Sequence, residues 1–425
     1  MREVIRLKHL LTKPLQYGAN ETGEQYSIDL PRYVRITDIT ADGRLRGNNA
    51  KSLAMKTAEL YLLSNGDILF ARSGATAGKT FIYEQKHGSC AFAGYLIRAS
   101  VNQKKILPRF LYYFTNTSFY DEWRNAIFIQ ATIQNISAER YNQLLIPLPP
   151  LEKQSQIVRV IDWKVSQINK LINAKKKQIG LLQEQEKAYV NFVFTHNRNK
   201  QPQCRAKYLF VERNERSEHG HETHLSMSQK YGLVNDDQLD ERRMLSESYA
   251  GGKICYENDI VLNRLKAHLG VFALAPQKGV ISPDYTVLQP LTEKILPKYA
   301  EFYLKSDICR HELHVRVRGV VEGFWRLYTD DFNTISMPLP PIVEQMKTVQ
   351  LLERKRNQTS QLVQILNNEI ALLHEYRTRL ISDVVTGKMN VQGMAIPIYD
   401  IANEDSSESD AEFVFLGEDE KNAFD

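Results

Sequence analysis

The chain has 425 residues, room for about three domains, and 43% hydrophobic with 25% charged residues is the balance of a soluble protein able to bury sizeable cores. No run approaches the roughly 18 consecutive apolar residues of a membrane span, and Met1-Arg2-Glu3-Val4 is not followed by the apolar block of a signal peptide, so the expected location is the cytoplasm. The formal charge of +5 is uneven: residues 389–425 carry ten acidic residues against one lysine, a net of −9, which leaves +14 on residues 1–388, the electrostatic footprint of a protein whose partner carries phosphates.

In chain order, residues 1–146 read as a mixed globule. Tyr33-Val34-Arg35-Ile36, Asp67-Ile68-Leu69-Phe70 and Thr80-Phe81-Ile82-Tyr83 are β-rich stretches punctuated by Gly, Asn and Ser, and a helical pattern follows Leu107-Pro108. Residues 147–196 open with Pro147-Leu148-Pro149-Pro150 and run on without proline, which predicts one long helix. Residues 197–337 repeat the mixed pattern, with a strand at Asp259-Ile260-Val261-Leu262, and residues 338–388 predict a second long helix. From Pro397 the composition is that of a solvated, disordered acidic tail, bounded here as 389–425.

The chain is thus written twice. Pro147-Leu148-Pro149-Pro150-Leu151-Glu152-Lys153-Gln154 returns as Pro338-Leu339-Pro340-Pro341-Ile342-Val343-Glu344-Gln345, an offset of 191, and Gly66-Asp67-Ile68-Leu69-Phe70-Ala71-Arg72 returns as Asn258-Asp259-Ile260-Val261-Leu262-Asn263-Arg264, an offset of 192. A period of this size is a domain duplication, too long for a solenoid. Weaker echoes are Leu107-Pro108-Arg109-Phe110 with Leu296-Pro297-Lys298-Tyr299, and Arg6–Leu10 with Arg205–Leu209.

Both helices keep a heptad seam. In the first it is Val158, Ile161, Val165, Ile168, Ile172, Lys175, Ile179, Leu182, Glu186, Tyr189 and Val193, nine of eleven apolar; 191 residues on, eight of eleven are apolar. A solvated helix of this length needs a partner, and the chain supplies one in the same register. About 45 helical residues run roughly 67 Å, so the second helix is expected to return antiparallel, giving a pseudo-twofold suited to two half-sites on a duplex. The fold class is therefore α+β, two duplicated globules and two long antiparallel coiled-coil helices.

Catalytic constellations fail on spacing. Ser73-Gly74-Ala75-Thr76-Ala77-Gly78-Lys79-Thr80 resembles a phosphate-binding P-loop but is one residue short and is followed by a β-like stretch where a helix belongs; a strand-loop-strand is the reading. His221-Glu222-Thr223-His224 is one residue short of a zinc-protease helix, so His219, His221 and His224 read as a polar loop. Asp67 with Glu84 and Lys86 hints at a nuclease cluster, but no Glu-x-Lys stands in the second copy, and Asp67 reads as the turn residue opening a strand. Cys90, Cys204, Cys255 and Cys309 are too scattered for zinc or a disulfide scaffold and read as reduced, mostly structural thiols. No catalytic residue, metal ligand or cofactor is assigned.

With these absences beside the duplication, the sequence resembles the specificity subunits of type I restriction-modification systems over residues 1 to about 390. The resemblance is carried by the paired Gly66–Leu69 and Asn258–Val261 segments, Val34-Arg35-Ile36-Thr37-Asp38-Ile39, the twin Pro-Leu-Pro-Pro-x-x-x-Gln helix starts, Ser228-Gln229-Lys230-Tyr231-Gly232 and Leu380-Ile381-Ser382-Asp383-Val384-Val385-Thr386-Gly387-Lys388. It implies a non-enzymatic subunit whose two target recognition domains each read half of a bipartite double-stranded DNA sequence. It also implies helices that set the spacing and dock two methyltransferase subunits, with restriction subunits (translocase and nuclease) joining that core and holding the catalysis. The alternatives are a DNA-binding structural or regulatory protein, and a self-sufficient nuclease or NTPase.

Candidate DNA-contacting residues follow the duplicated strands: Arg72, Ser73, Thr76, Lys79 and Thr80 in the first copy, and Arg264, Lys266 and His268 in the second. Others precede each long helix: Thr132, Gln134 and Asn135, then Arg316, Arg318, Trp325 and Arg326. Packing or pairing with carboxylates is the other reading of these Arg and Trp residues.

Overall fold

The computed structural model describes residues 3–40, 43–74, 76–129, 135–198, 201–228, 232–235, 249–319 and 325–402. The chain divides into two compact units, Met1–Lys176 with Asn367–Asp425, and Lys177–Leu366. The predicted long helices are Leu151–Arg198, 48 residues, and Ile342–Thr386, 45 residues. Paired prolines precede each start, where their missing N–H groups cost nothing, and Gly387 at φ +72° stops the second helix as a left-handed residue beyond its end. No helix among the described residues is long and apolar enough to cross a membrane.

In the first unit a four-stranded sheet has the order Gln16–Tyr17, Leu96–Ala99, Ile68–Ala71, Thr80–Ile82. Its centre strand Ile68–Ala71 is buried along its whole length because the period-two alternation feeds two cores. Ile68 and Phe70 join Phe110 and Phe114 of the helix Pro108–Phe114, while Leu69 and Ala71 join Val34, Phe81 and Phe92. The strand expected at 33–36 is Arg32–Val34. It ends there because the Asp38 carboxylate takes the Arg35 N–H at 2.8 Å and its guanidinium at 2.8 Å, closing the turn Ile36–Asp38.

The second unit repeats this sheet as Phe210–Arg213, Tyr285–Pro290, Ile260–Asn263, Phe272–Leu274. The registers correspond, with Ile68 opposite Ile82 and Ile260 opposite Leu274. Ile260 and Leu262 again face a different core from Val261. The helix Pro297–Lys305 follows its Leu-Pro pair as expected. None of the four cysteines is in a disulfide; Cys90, Cys255 and Cys309 are buried.

In the first unit the two long helices run antiparallel. There Arg377 donates to Asn169 at 2.8 Å and Lys175 lies 2.6 Å from Glu369; in the second unit, Lys355 donates to Gln185 at 3.0 Å and Arg356 lies 3.6 Å from Glu186. In the first unit's pairs the numbers rise along one helix, 169 to 175, as they fall along the other, 377 to 369. These pairs also account for the charged interruptions of the seam, since Lys175, Glu186, Arg356 and Arg377 each find a polar partner on the facing helix.

The acidic tail needs a correction at its start. Residues 389–402 lie against the first long helix: Gln156 donates to the Val391 and Met394 carbonyls at 3.2 and 3.0 Å, the Ser166 hydroxyl donates to the Asp400 carbonyl at 2.8 Å, and Asn169 donates to the Ala402 carbonyl at 3.0 Å. Val391 is buried in the same cluster as Val160, so apolar side chains ahead of the acidic run hold this strap in place. Residues 403–425 lie outside the described residues.

Candidate nucleic-acid interface

The duplicated strands are launched by the same turn. Gly66 at φ +90° and Asn258 at φ +69° take the left-handed conformation, and the following carboxylates accept backbone N–H groups, Asp67 from Ser64 at 2.8 Å and Asp259 from Tyr256 at 2.9 Å. Asp67 is thus a turn residue, as expected. Glu84 is engaged elsewhere, with Lys86 and with Arg109 at 3.1 Å; burial opposes its charge, but these cations hold its carboxyl below the ordinary range.

At the far end of each strand stands an arginine tied to the segment that precedes the long helix. The Ile136 N–H donates to the Arg72 carbonyl at 2.8 Å, and the Leu327 N–H donates to the Arg264 carbonyl at 3.0 Å. Bridges Ser73 with Asn135 and Arg318 with Arg326 extend the two junctions. Candidates that stand some sixty residues apart in the sequence are therefore joined in both units: Arg72 and Ser73 with Asn135, and Arg264 and His268 with Trp325 and Arg326.

Side chains differ between the two. The Arg72 guanidinium carbon lies 4.9 Å from the centre of the Tyr17 ring, and its Nε is buried with no hydrogen-bond partner among the described residues. Arg264 donates through Nε to the Thr286 hydroxyl at 2.8 Å. His268 packs edge-on to Trp325 at 5.1 Å and 6.1 Å from His314; burial, then the fields of His314 and Lys266, hold its pKa below the ordinary value. Lys266 sits in the turn Arg264–Leu269 with a non-helical backbone.

Several other candidates are already engaged. Arg316 bonds Glu312 at 2.7 Å and Thr334 at 3.0 Å, Arg318 pairs with Asp331, and Arg326 lies 3.7 Å from Asp284. For these three, pairing with carboxylates is what the geometry displays. Thr80 is a correction: it is 6% exposed in the strand Thr80–Ile82, and its hydroxyl is within 2.7 Å of the Thr115 hydroxyl, so it faces the interior. Strand alternation after Lys79 turns it inward. Thr76 and Lys79 stay half-buried on the loop, with Gly74 and Gly78 at φ +75° and +86°. Thr132 and Gln134 lie outside the described residues.

The P-loop-like stretch is the strand-loop-strand expected, Ile68–Ala71 and Thr80–Ile82 flanking it. In the histidine-rich loop His219 and His221 pair at 5.8 Å while His224 stacks on Tyr249 at 3.8 Å, and the described residues contain no group of three or more potential metal ligands. Tyr17 and His314 were not foreseen. Nothing in the local sequence of either residue marks it, since only the sheet order and the packing of the helix Asp307–His314 bring them to the arginine and histidine concerned.

The family model for the type I restriction modification DNA specificity domain matches residues 16–181 and 224–372. The chain is 24% identical to the putative type I restriction enzyme MjaX specificity subunit of Methanocaldococcus jannaschii, covering 92% of this chain and 94% of that protein. It is also 24% identical to the type I restriction enzyme EcoKI specificity subunit of Escherichia coli K12, covering 83% of each. Among solved structures, a chain from a type I R-M system shares the fold, with a TM-score of 0.65 at 15% identity over 91% of this chain and 98% of that one. Two matched segments, one in each half of a duplicated chain and each enclosing one of the arginine-bearing strands, make this protein a member of the type I restriction-modification DNA specificity family.

Proposed function

We propose that each unit of this DNA-specificity subunit reads one half of a bipartite duplex target, through Arg72, Ser73, Thr76, Lys79 and Asn135 in the first and Arg264, Lys266, His268 and Trp325 in the second. The observation that carries the reading is the repeated junction: an arginine at the end of a duplicated strand, its carbonyl bonded by the segment entering the long helix, at 2.8 Å in one unit and 3.0 Å in the other. Arginine at such a place suits base-edge acceptors in the major groove, while lysine and hydroxyl neighbours suit phosphates. The paired helices serve as the docking face for methyltransferase subunits, two in number to match the duplication, and catalysis of methylation, translocation and cleavage belongs to partner subunits.

Methylome sequencing of cells carrying the methyltransferase with and without this chain tests the reading. The expected result is a split methylated motif that appears only with the chain. Methylation of the same sites in its absence would overturn the assignment, as would purified chain that copurifies with no methyltransferase.

A further inference from the structure

We infer that Tyr17 positions Arg72 to read a guanine in the half-site of the first unit. The inference rests on the proposed role of the Arg72 loop and adds a residue outside it. Tyr17 belongs to the edge strand Gln16–Tyr17, with Ile97 opposite it, and Ile97 in turn lies opposite Phe70, two residues before Arg72. The sheet order thus delivers an aromatic ring to the loop from a position more than fifty residues away in the sequence. The ring is 36% exposed, its centre is 4.9 Å from the Arg72 guanidinium carbon, and its hydroxyl accepts the Ala138 N–H at 3.0 Å. One side chain therefore supports the arginine and clamps the segment whose Ile136 N–H holds the Arg72 backbone.

The chemistry of that support matters. A carboxylate orients an arginine by occupying its N–H donors, as Glu312 does for Arg316 and Asp331 for Arg318. An aromatic face attracts the guanidinium through its π cloud and occupies none of them. Among the described residues Arg72 has no ion pair, and its backbone is fixed on both sides, by Arg72 N–H to the Tyr95 carbonyl at 3.0 Å and by Ile136 to its own carbonyl. An arginine held this way keeps its paired terminal N–H groups for an edge with two acceptors, and in the major groove guanine presents that edge as O6 and N7. In the second unit the counterpart Arg264 is braced instead by the Thr286 hydroxyl, with no ring over it among the described residues. The dependence on a tyrosine is thus specific to the first reader.

The test selects a randomised duplex library with the full chain and sequences the bound pool for the wild type, Arg72→Ala, Tyr17→Leu and Tyr17→Phe, with salt titrations and melting curves for each. Arg72→Ala and Tyr17→Leu are expected to flatten the same guanine position, each on the order of tenfold, and Tyr17→Leu to leave the salt slope unchanged. Tyr17→Phe keeps the ring and is expected to keep the guanine. Retention of that preference by Tyr17→Leu while Arg72→Ala loses it would overturn the positioning role and leave the loop reading intact. Loss of it by Tyr17→Phe would also overturn the inference, by moving the effect from the ring to the Ala138 clamp. If Tyr17→Leu blurs many positions together or melts early, the ring is a structural part and the inference fails. An unchanged pool with Arg72→Ala would reject the loop reading and the inference with it.

Discussion

The Leu107 N–H donates to the Gln154 side-chain carbonyl at 2.8 Å, and the duplication repeats the bond between Leu296 and Gln345 at 2.8 Å. Each glutamine amide also donates to two carbonyls, Gln154 to Lys105 at 3.0 Å and Pro149 at 2.8 Å, and Gln345 to Lys294 at 2.9 Å and Pro340 at 2.9 Å. Both side chains are fully buried. The last residue of the repeated Pro-Leu-Pro-Pro-x-x-x-Gln motif therefore fastens each long helix to the helix that follows the Leu-Pro pair.

Gln154→Ala leaves one N–H and two carbonyls buried without their partner. A loss of about 2–4 kcal/mol is expected in urea denaturation, and Gln154→Glu, which can accept but not donate, should also destabilise. A change below about 0.5 kcal/mol for both variants would show that these bonds are replaced by water.

Arg72→Ala and Arg264→Ala should each reduce affinity for the cognate duplex by about 1–3 kcal/mol, and should do so in different half-sites. Competition binding with duplexes mutated in one half at a time checks this. Unchanged affinity for both variants would remove the loops from the interface.

Stability of the second unit should fall in acid through Glu301. Burial opposes its charge, but Lys305 at 2.7 Å and Lys298 at 2.9 Å outweigh that and pull its pKa to about 2 from an ordinary 4.5. A depressed carboxyl pKa contributes stability that is complete above the unfolded value and lost as pH falls through the folded one. Glu301→Gln is expected to cost about 1–3 kcal/mol at pH 7, discounted because both lysines are partly exposed, with the difference from wild type closing between about pH 4.5 and pH 2. Denaturation curves across that window measure it, and a difference that does not change with pH would contradict the pairing.

The strap and the acidic run behind it should separate by truncation. Ending the chain after Ala402 removes nine of the ten acidic residues of the tail and should leave stability unchanged, while raising non-specific DNA affinity and steepening its fall with salt. Ending it after Lys388 also removes the buried Val391 and the bonds to Gln156, Ser166 and Asn169, at an expected cost of about 2 kcal/mol or more. Equal salt slopes for full-length and Ala402-ended chains would leave the acidic run without a role in DNA binding.

Most of the architecture could be read from the sequence because duplication prints each signal twice. The proline-bounded helices, the Asp67 turn and the heptad seam each rest on local chemistry or periodicity. What could not be read depends on which side chain a fold brings from elsewhere. Thr80 looked like a loop donor until strand alternation turned it inward toward Thr115. Tyr17 reaches Arg72 only through the order of the sheet, and composition marked the start of the tail as solvated although Val391 anchors it. The arginines before the second helix were indistinguishable as letters, and their neighbours Glu312, Asp331 and Asp284 set them apart from Arg72.

Two independent readers in one chain are tested most directly by exchanging one of them. Cells carrying the methyltransferase receive either this chain or a chimera in which residues 1–146 come from another member of the family, and their methylomes are sequenced. The expected result is a methylated motif with one half replaced and the other half unchanged. A chimera that folds, assembles with the methyltransferase and alters both halves, or neither, would contradict it.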